Sequence, residues 1–454
     1  MKKLLPILAL LPLLAASNPK DSSLVRNLFE REFNQGRSYS DLSYLCKQIG
    51  GRLSGSPQAE KAVQWAFAEL KKDGFDSVWL QPVMVPHWVR GDKEKAYAKV
   101  GKKQIELSIC ALGNSVGTPE KGLEAEVLEV KTFEELRALP TEKVKGKIVF
   151  FSRPFPNNVL ICGQAYGNTV NQRSQGPIEA AQKGAIGVLV RSMTHALDDE
   201  PHTGATNYRD SIPKIPGCAI STVDADELSK LIHENGCVRV WFRQTCKMLD
   251  DVLSYNVVAE MRGSENPNEI ILVGGHLDSW DNGEGAHDDG AGCVQSMNAL
   301  RLLKQEGYKP KRTLRAVLFM NEENGLKGGL KYAELAKANN EKHLAAIETD
   351  AGGFMPRHIG FTLPQDSLGK YKDWEKLLAP YGVQNFDANG GGADIGPLRN
   401  QGTVLIGYHP DGQKYFDIHH TAADTFEKVN KRELQFGTVV LSGMLYLLSE
   451  YGLR

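Results

Sequence analysis

The sequence predicts an α/β protein: a mostly parallel central sheet flanked by helices, interrupted by an inserted β-rich unit. Three observations carry this expectation. From Ser254 to the end, short apolar strands alternate with helical stretches, the pattern of crossover units on a parallel sheet. From about 115 to 247 the texture changes to short β-branched runs divided by Gly and Pro. The closing stretch from Leu434 to Leu448 is apolar at helical spacing and suits a helix packed on that sheet.

In chain order, Met1, Lys2 and Lys3 precede an apolar run from Leu4 to about Ala16 and the small residues Ala15, Ala16 and Ser17. This is the make-up of a secretory signal peptide over residues 1–17. It implies an exported protein, secreted or periplasmic, or lodged in the secretory lumen or lysosome of a eukaryote. No Asn-x-Ser/Thr sequon occurs, which favours a bacterial envelope. Leu24, Leu28 and Phe29 predict one short packing helix, and Leu42, Leu45 and Ile49 another starting near Ser40. Ser56-Pro57 opens a helix carrying Val63, Phe67 and Leu70, with Gly74 placed as its C-terminal cap. Residues 18–114 then rejoin 248–454 as one unit, with 115–247 inserted. The insertion holds strand candidates at Lys147 to Phe151 and Cys218 to Ser221, and a helix-turn-strand unit from Pro177 to Val190. Beyond it, strands are expected at Ile270 to Gly275, Leu314 to Met320, Ala345 to Glu348 and Thr403 to Ile406.

With 454 residues and 41% hydrophobic content, the chain can build more than one core. A formal charge of -1 leaves no basic field for nucleic acid or anionic membranes. No run after the leader reaches the roughly 20 apolar residues of a membrane span. The seven cysteines form no CxxC pair and so suggest no thiolate metal site; a local Cys237–Cys246 bridge is conceivable.

Acids and imidazoles gather where the predicted strands end. His276 and Asp278 follow IILVGG, Glu322 and Glu323 follow RAVLFM, Asp350 follows AAIET, and His420 lies after the last strand. In an open parallel sheet the carboxyl ends of the strands line the ligand crevice, so four segments converge. Imidazole and carboxylate donors suit zinc. Two metals need a shared group, which Asp288, in GAHDDGAG, offers. Glu322 and Glu323 are adjacent and point apart, so Glu323 can bind metal while Glu322 stays free to take a proton. Singly, each motif has a plainer reading: a turn, a helix cap, a solvated pair of glutamates, a surface pair at His419-His420. The ordered set is the signal.

The segments GGRLSGSPQAEKA at Gly50, PHWVRG at Pro86, PHTG at Pro201, GGHLDSWDNGEGAHDDGAG at Gly274, NEENG at Asn321, ETDAGG at Glu348 and HHTAADT at His419 resemble the co-catalytic di-zinc aminopeptidase and carboxypeptidase family. GKIV, AAQKGAIGVL and IPKIPGCAIS resemble the protease-associated unit inserted in some of its members. The resemblance implies a phosphorylase/hydrolase-like zinc-peptidase fold and two Zn2+ per chain. One zinc would take His276 and Asp350, the other Glu323 and His420, with Asp288 bridging. Glu322 would be the general base, Asp278 would orient the His276 ring, and Asp424 would support the His420 loop. A cis peptide at Asp288–Asp289, a homodimer, and short peptides or dipeptides as substrates are implied as well. His287 departs from the family pattern; a supporting or solvent-facing place is expected rather than a sixth ligand. Asn389 to Asp394 resembles a substrate loop with a longer glycine run.

Other classes fit less well. The glycine run lacks a following Lys-Ser/Thr, and LSGS at Leu53 is not a GxSxG elbow. A metal-free receptor on this fold would have lost ligands that are present here, and a single-zinc acyltransferase conflicts with the two-metal set. An aminopeptidase is the runner-up.

Overall fold

The computed structural model describes residues 18–453; the signal-peptide segment expected at 1–17 lies outside them. Two eight-stranded sheets organise the chain.

In the first, the strands Arg312–Phe319, Asn266–His276, Lys342–Glu348 and Val404–Pro410 lie side by side and parallel. These are the four strands expected after Ser254. Their apolar residues alternate between two buried layers. Ile271 and Val273 pack with Leu314, Ala316 and Leu318 beneath the helices Pro57–Lys72, Ala291–Gln305 and Lys431–Tyr451. Leu272, Val317 and Phe319 pack the other way, against Tyr332, Ala333 and Ala336 of the helix Lys327–Ala338. Both faces being covered, the strands read as continuous apolar runs. The flanks make the sheet mixed. Ser77–Val89, Lys247–Met261 and Pro356–Phe361 all join it antiparallel.

The first two of these flanking strands form a long two-stranded stem along which the chain leaves for the insertion and returns. The second sheet holds Leu123–Val130, Ile148–Phe151, Gly187–Arg191, Gly217–Ile220 and Arg239–Arg243, but also Lys95–Val100, Lys103–Leu107 and Ile109–Ala111. It therefore reaches back before the expected residue-115 boundary. The two earliest of those strands mix charged and polar residues with apolar ones and are partly exposed, with Lys103–Leu107 at the sheet edge. Lys95–Val100 pairs with Lys103–Leu107 as a hairpin, and joins the rest of the sheet by pairing with Arg239–Arg243, far along the chain.

Local signals hold where they were strong. Ser56 Oγ accepts the Ala59 amide at 3.1 Å, a cap worth about 1 kcal/mol, and Gly74 sits at φ +68° just past the Pro57–Lys72 helix. All seven cysteines are free, so Cys237 and Cys246 do not bridge. Among the described residues no helix is long and apolar enough to cross a membrane.

Candidate metal centre

Register places the chemistry. His276 pairs with Phe319, and Gly274 with Glu348, so the chain ends carrying His276, Glu322-Glu323 and Asp350 emerge together at one edge of the sheet. The Asp288–Asp289 segment lies against this edge. It can do so because Gly275 carries no Cβ; one there would run into the Asp289 carboxylate and come within 3.0 Å of the Thr349 carbonyl. Asp289 in turn accepts the His276 amide at 3.1 Å and the Gly292 amide at 3.0 Å. The Asp288–Asp289 peptide is cis. Arg52, fully buried, ties the same loops from below by donating to the carbonyls of Leu277 (2.6 Å), Glu284 (2.8 Å) and Gly285 (3.0 Å).

Five of the expected residues meet through Asp288. His276 Nε2 stands 3.2 Å from Asp288 Oδ1 and 3.6 Å from Asp350 Oδ1. His420 Nε2 stands 3.3 Å from Asp288 Oδ2 and 3.2 Å from Glu323 Oε2. These are not ordinary pairings. His276 Nε2 and Asp288 Oδ2 are buried and misaligned for a hydrogen bond with any neighbour. The donor atoms of His276, Asp288 and Asp350 nonetheless lie within 4.8 Å of one another, as cation ligands do. Burial opposes protonation of both rings, yet the carboxylates around them raise His276 and His420 well above the usual imidazole range. Burial likewise opposes the charge of Asp288, but the two imidazoles hold it well below the carboxylate range. In metal-free protein, protons on the rings supply the positive charge this cluster needs. A divalent cation would supply it better.

Supporting contacts differ in part from those expected. The His276 ring is oriented by Asp278, but through the backbone carbonyl, 2.9 Å from Nδ1; the Asp278 carboxylate is 3.9 Å from that nitrogen. That carboxylate accepts the amides of Asn321 (2.7 Å) and Glu322 (3.1 Å), fixing the loop that carries both glutamates, with Asn321 at φ +74°. Asp424 supports the bridging segment rather than the His420 loop, accepting the amides of His287 (2.8 Å) and Asp288 (3.1 Å). His287 is buried and stacked on Phe354, and burial pushes its pKa down to about 4; its neutral Nδ1 accepts the Gly353 amide at 3.1 Å. It is neither ligand nor solvent-facing. His419 is buried beside His420, its neutral ring stacked at 3.5 Å between centroids, which excludes the surface-pair reading. The Asn389 to Asp394 loop is latched on Glu348, which accepts the amides of Ala393 (2.6 Å) and Ile395 (2.9 Å).

His420, at φ +64°, is clamped from the insertion. Its Nδ1 lies 3.2 Å from the Thr203 carbonyl, and its own carbonyl accepts the Thr203 amide at 3.0 Å. Thr203 belongs to the PHTG segment, whose role no local pattern announced. The same insertion roofs a cavity of about 410 Å³ whose floor holds Asp288, Glu322, Glu323, Asp350 and His420. Glu322 faces this space. Burial, then the neighbouring acids Asp350 and Glu323, raise it well above the usual carboxylate range.

The model of peptidase family M28 matches residues 256–442, the segment that carries all seven residues singled out as ligands, base or ring-orienting acid. Human carboxypeptidase Q is 37% identical over 416 residues, covering 92% of this chain and 86% of its own; the Xenopus laevis protein is 39% identical over 391 residues, covering 86% and 81%. A peptidase M28 precursor from Shewanella amazonensis superposes with a TM-score of 0.91 at 34% identity, over 96% of this chain and 98% of its own. An aminopeptidase from Aneurinibacillus, 20% identical with a TM-score of 0.64, shares the fold. Identity running through the insertion as well as the catalytic half places the chain in peptidase family M28, as a carboxypeptidase Q-like exopeptidase.

Proposed function

We propose that the chain is an exported di-zinc exopeptidase that hydrolyses unblocked dipeptides or releases a terminal residue from short peptides. His276 and Asp350 would hold one zinc and Glu323 and His420 the other, with Asp288 available to both. The observation that carries this is the meeting of two imidazole-carboxylate groups on one buried aspartate at the floor of the cavity. Imidazole nitrogen and carboxylate oxygen are zinc's usual donors. Export rests on the apolar leader, and a homodimer on the family resemblance.

Bound zinc supplies Lewis acidity to the scissile carbonyl and to the attacking water. The protein's own residues do the rest. Glu322, raised in basicity by burial, accepts a proton from that water and returns it to the leaving nitrogen. Asp278 holds the Glu322 amide in place, and the roofing insertion limits both water and substrate length. The cavity lies near the small end of the roughly 300–1,000 Å³ typical of ligand sites, which suits a few residues better than a long chain. Zinc-loaded protein is expected to cleave free dipeptides, to lose that activity on chelation and to regain it with zinc. Cleavage of aminoacyl anilides in preference to dipeptides would instead favour the aminopeptidase reading.

A pH dependence follows. Burial and Asp288 raise Glu323 to about 7, and His276 and His420 stand above 6.5. A raised folded-state pKa contributes stability that is present below the unfolded value and lost as pH rises through the folded one. The metal-free protein therefore loses the Glu323 contribution between about pH 4.5 and 7 and those of His276 and His420 only above pH 6.5, while ligands freed of protons bind zinc more tightly. The increase in urea midpoint produced by zinc is expected to be larger at pH 7.5 than at pH 5.5. An equal increase at both would contradict the ligand assignment.

A further inference from the structure

Arg173 is a buried cation in the wall of the catalytic cavity, and among the described residues no acidic side chain pairs with it. It comes from the insertion, on the short helix Asn171–Ser174, and is only 6% exposed. Its Nη1 donates to the Thr203 carbonyl at 3.2 Å and its Nη2 to the Tyr166 hydroxyl at 2.7 Å. Nη1 also lies 3.4 Å from His420 Nδ1, but both are donors, so the Thr203 carbonyl accepts from each. Nε is buried without a partner. Among the described residues no carboxylate lies within 4 Å of the guanidinium. Other buried arginines here are treated differently. Arg301 lies against Asp41 and Asp73, Arg315 against Glu260 and Glu341, and Arg52 inside a cage of backbone carbonyls. An arginine withdrawn from water with no counter-ion is costly unless one arrives. Of the acids sharing the cavity, Asp288, Glu323 and Asp350 are committed to the proposed metals and Glu322 to proton transfer. The chain also makes room for this side chain: a Cβ at Gly204, where φ is +130°, would collide with the guanidinium.

We infer that Arg173 binds the carboxylate at the C-terminus of the substrate and so sets the preference for dipeptides with a free carboxyl end. This rests on the peptidase reading above and names a specificity residue for it. In a dipeptide that carboxylate is three bonds from the scissile carbonyl carbon, within about 4 Å, and each added residue moves it a further ~3.5 Å away. A cation beside the metal ligand His420 therefore meets the carboxylate of a dipeptide and misses that of a longer chain cut at its amino end. A guanidinium with free N–H groups offers the forked geometry a carboxylate takes.

The test compares a free dipeptide with its C-terminal carboxamide on the zinc-loaded enzyme. The wild type is expected to favour the free acid by about tenfold or more in kcat/KM, the scale of one charge-assisted hydrogen bond. Arg173→Gln should lower kcat/KM on the free acid by a similar factor, mainly through KM, and leave the amide within about threefold, so that the preference collapses. Arg173→Lys should retain part of it. Equal loss on both substrates, or loss of zinc, would make Arg173 a support for His420 and overturn the assignment. Should the variants not fold, the wild-type ratio decides: acid and amide cleaved equally would overturn it. Cleavage of neither substrate by zinc-loaded wild type would instead overturn the dipeptidase reading, and this inference with it.

Discussion

Glu322→Gln is expected to lower turnover at least about a hundredfold, the low end for general acid-base catalysis, while zinc content stays at the wild-type level. The substitution keeps size and hydrogen-bonding shape but removes the proton acceptor. Metal retention is expected because the donor atoms nearest the histidines belong to Asp288, Asp350 and Glu323, not Glu322. The backbone of Glu322, held by Asp278, should not move. Turnover and metal analysis on the same preparation check this; near-normal turnover would remove Glu322 from the mechanism.

Asp288→Ala should have a larger effect on the metals themselves. One carboxylate reaches toward both imidazoles, one oxygen to each, so its loss removes a ligand from both positions at once. Zinc content is expected to fall below that of Asp350→Ala, which strips one position only. Turnover should fall beyond the roughly 10–100-fold typical of residues that merely support metal ligands. Metal analysis after dialysis checks it, and an Asp288→Ala protein that keeps both zinc ions would contradict the shared role.

Part of the proposed ligand set was legible because His276, Glu323 and Asp350 lie at or just past apolar strand runs, and strand ends in a parallel sheet converge whatever the loops do, whereas Asp288 and His420 sit in loops well beyond their strands and were fixed as ligands by the family resemblance. The same local strength made the Pro57–Lys72 helix and the four central strands readable to within a few residues. What escaped depends on contacts distant in sequence. Nothing around Asp424 says that its carboxylate takes the amides of His287 and Asp288. Nothing around Asp278 says that its carbonyl rather than its carboxylate meets the His276 ring. Arg52 and the Thr203–His420 clamp are side-chain and backbone pairings across the fold, with no periodicity to betray them. The attachment of the early strands to the second sheet has the same origin, since the hairpin of Lys95–Val100 and Lys103–Leu107 joins it through Arg239–Arg243, a partner far downstream.

The proposed chemistry requires a pair of metals sharing Asp288. Its most direct test is to strip the wild-type protein with chelator and titrate zinc back, reading dipeptide cleavage against equivalents bound per chain. Full activity should be reached at two zinc per chain. Full activity at one, with a second equivalent adding nothing, would contradict it.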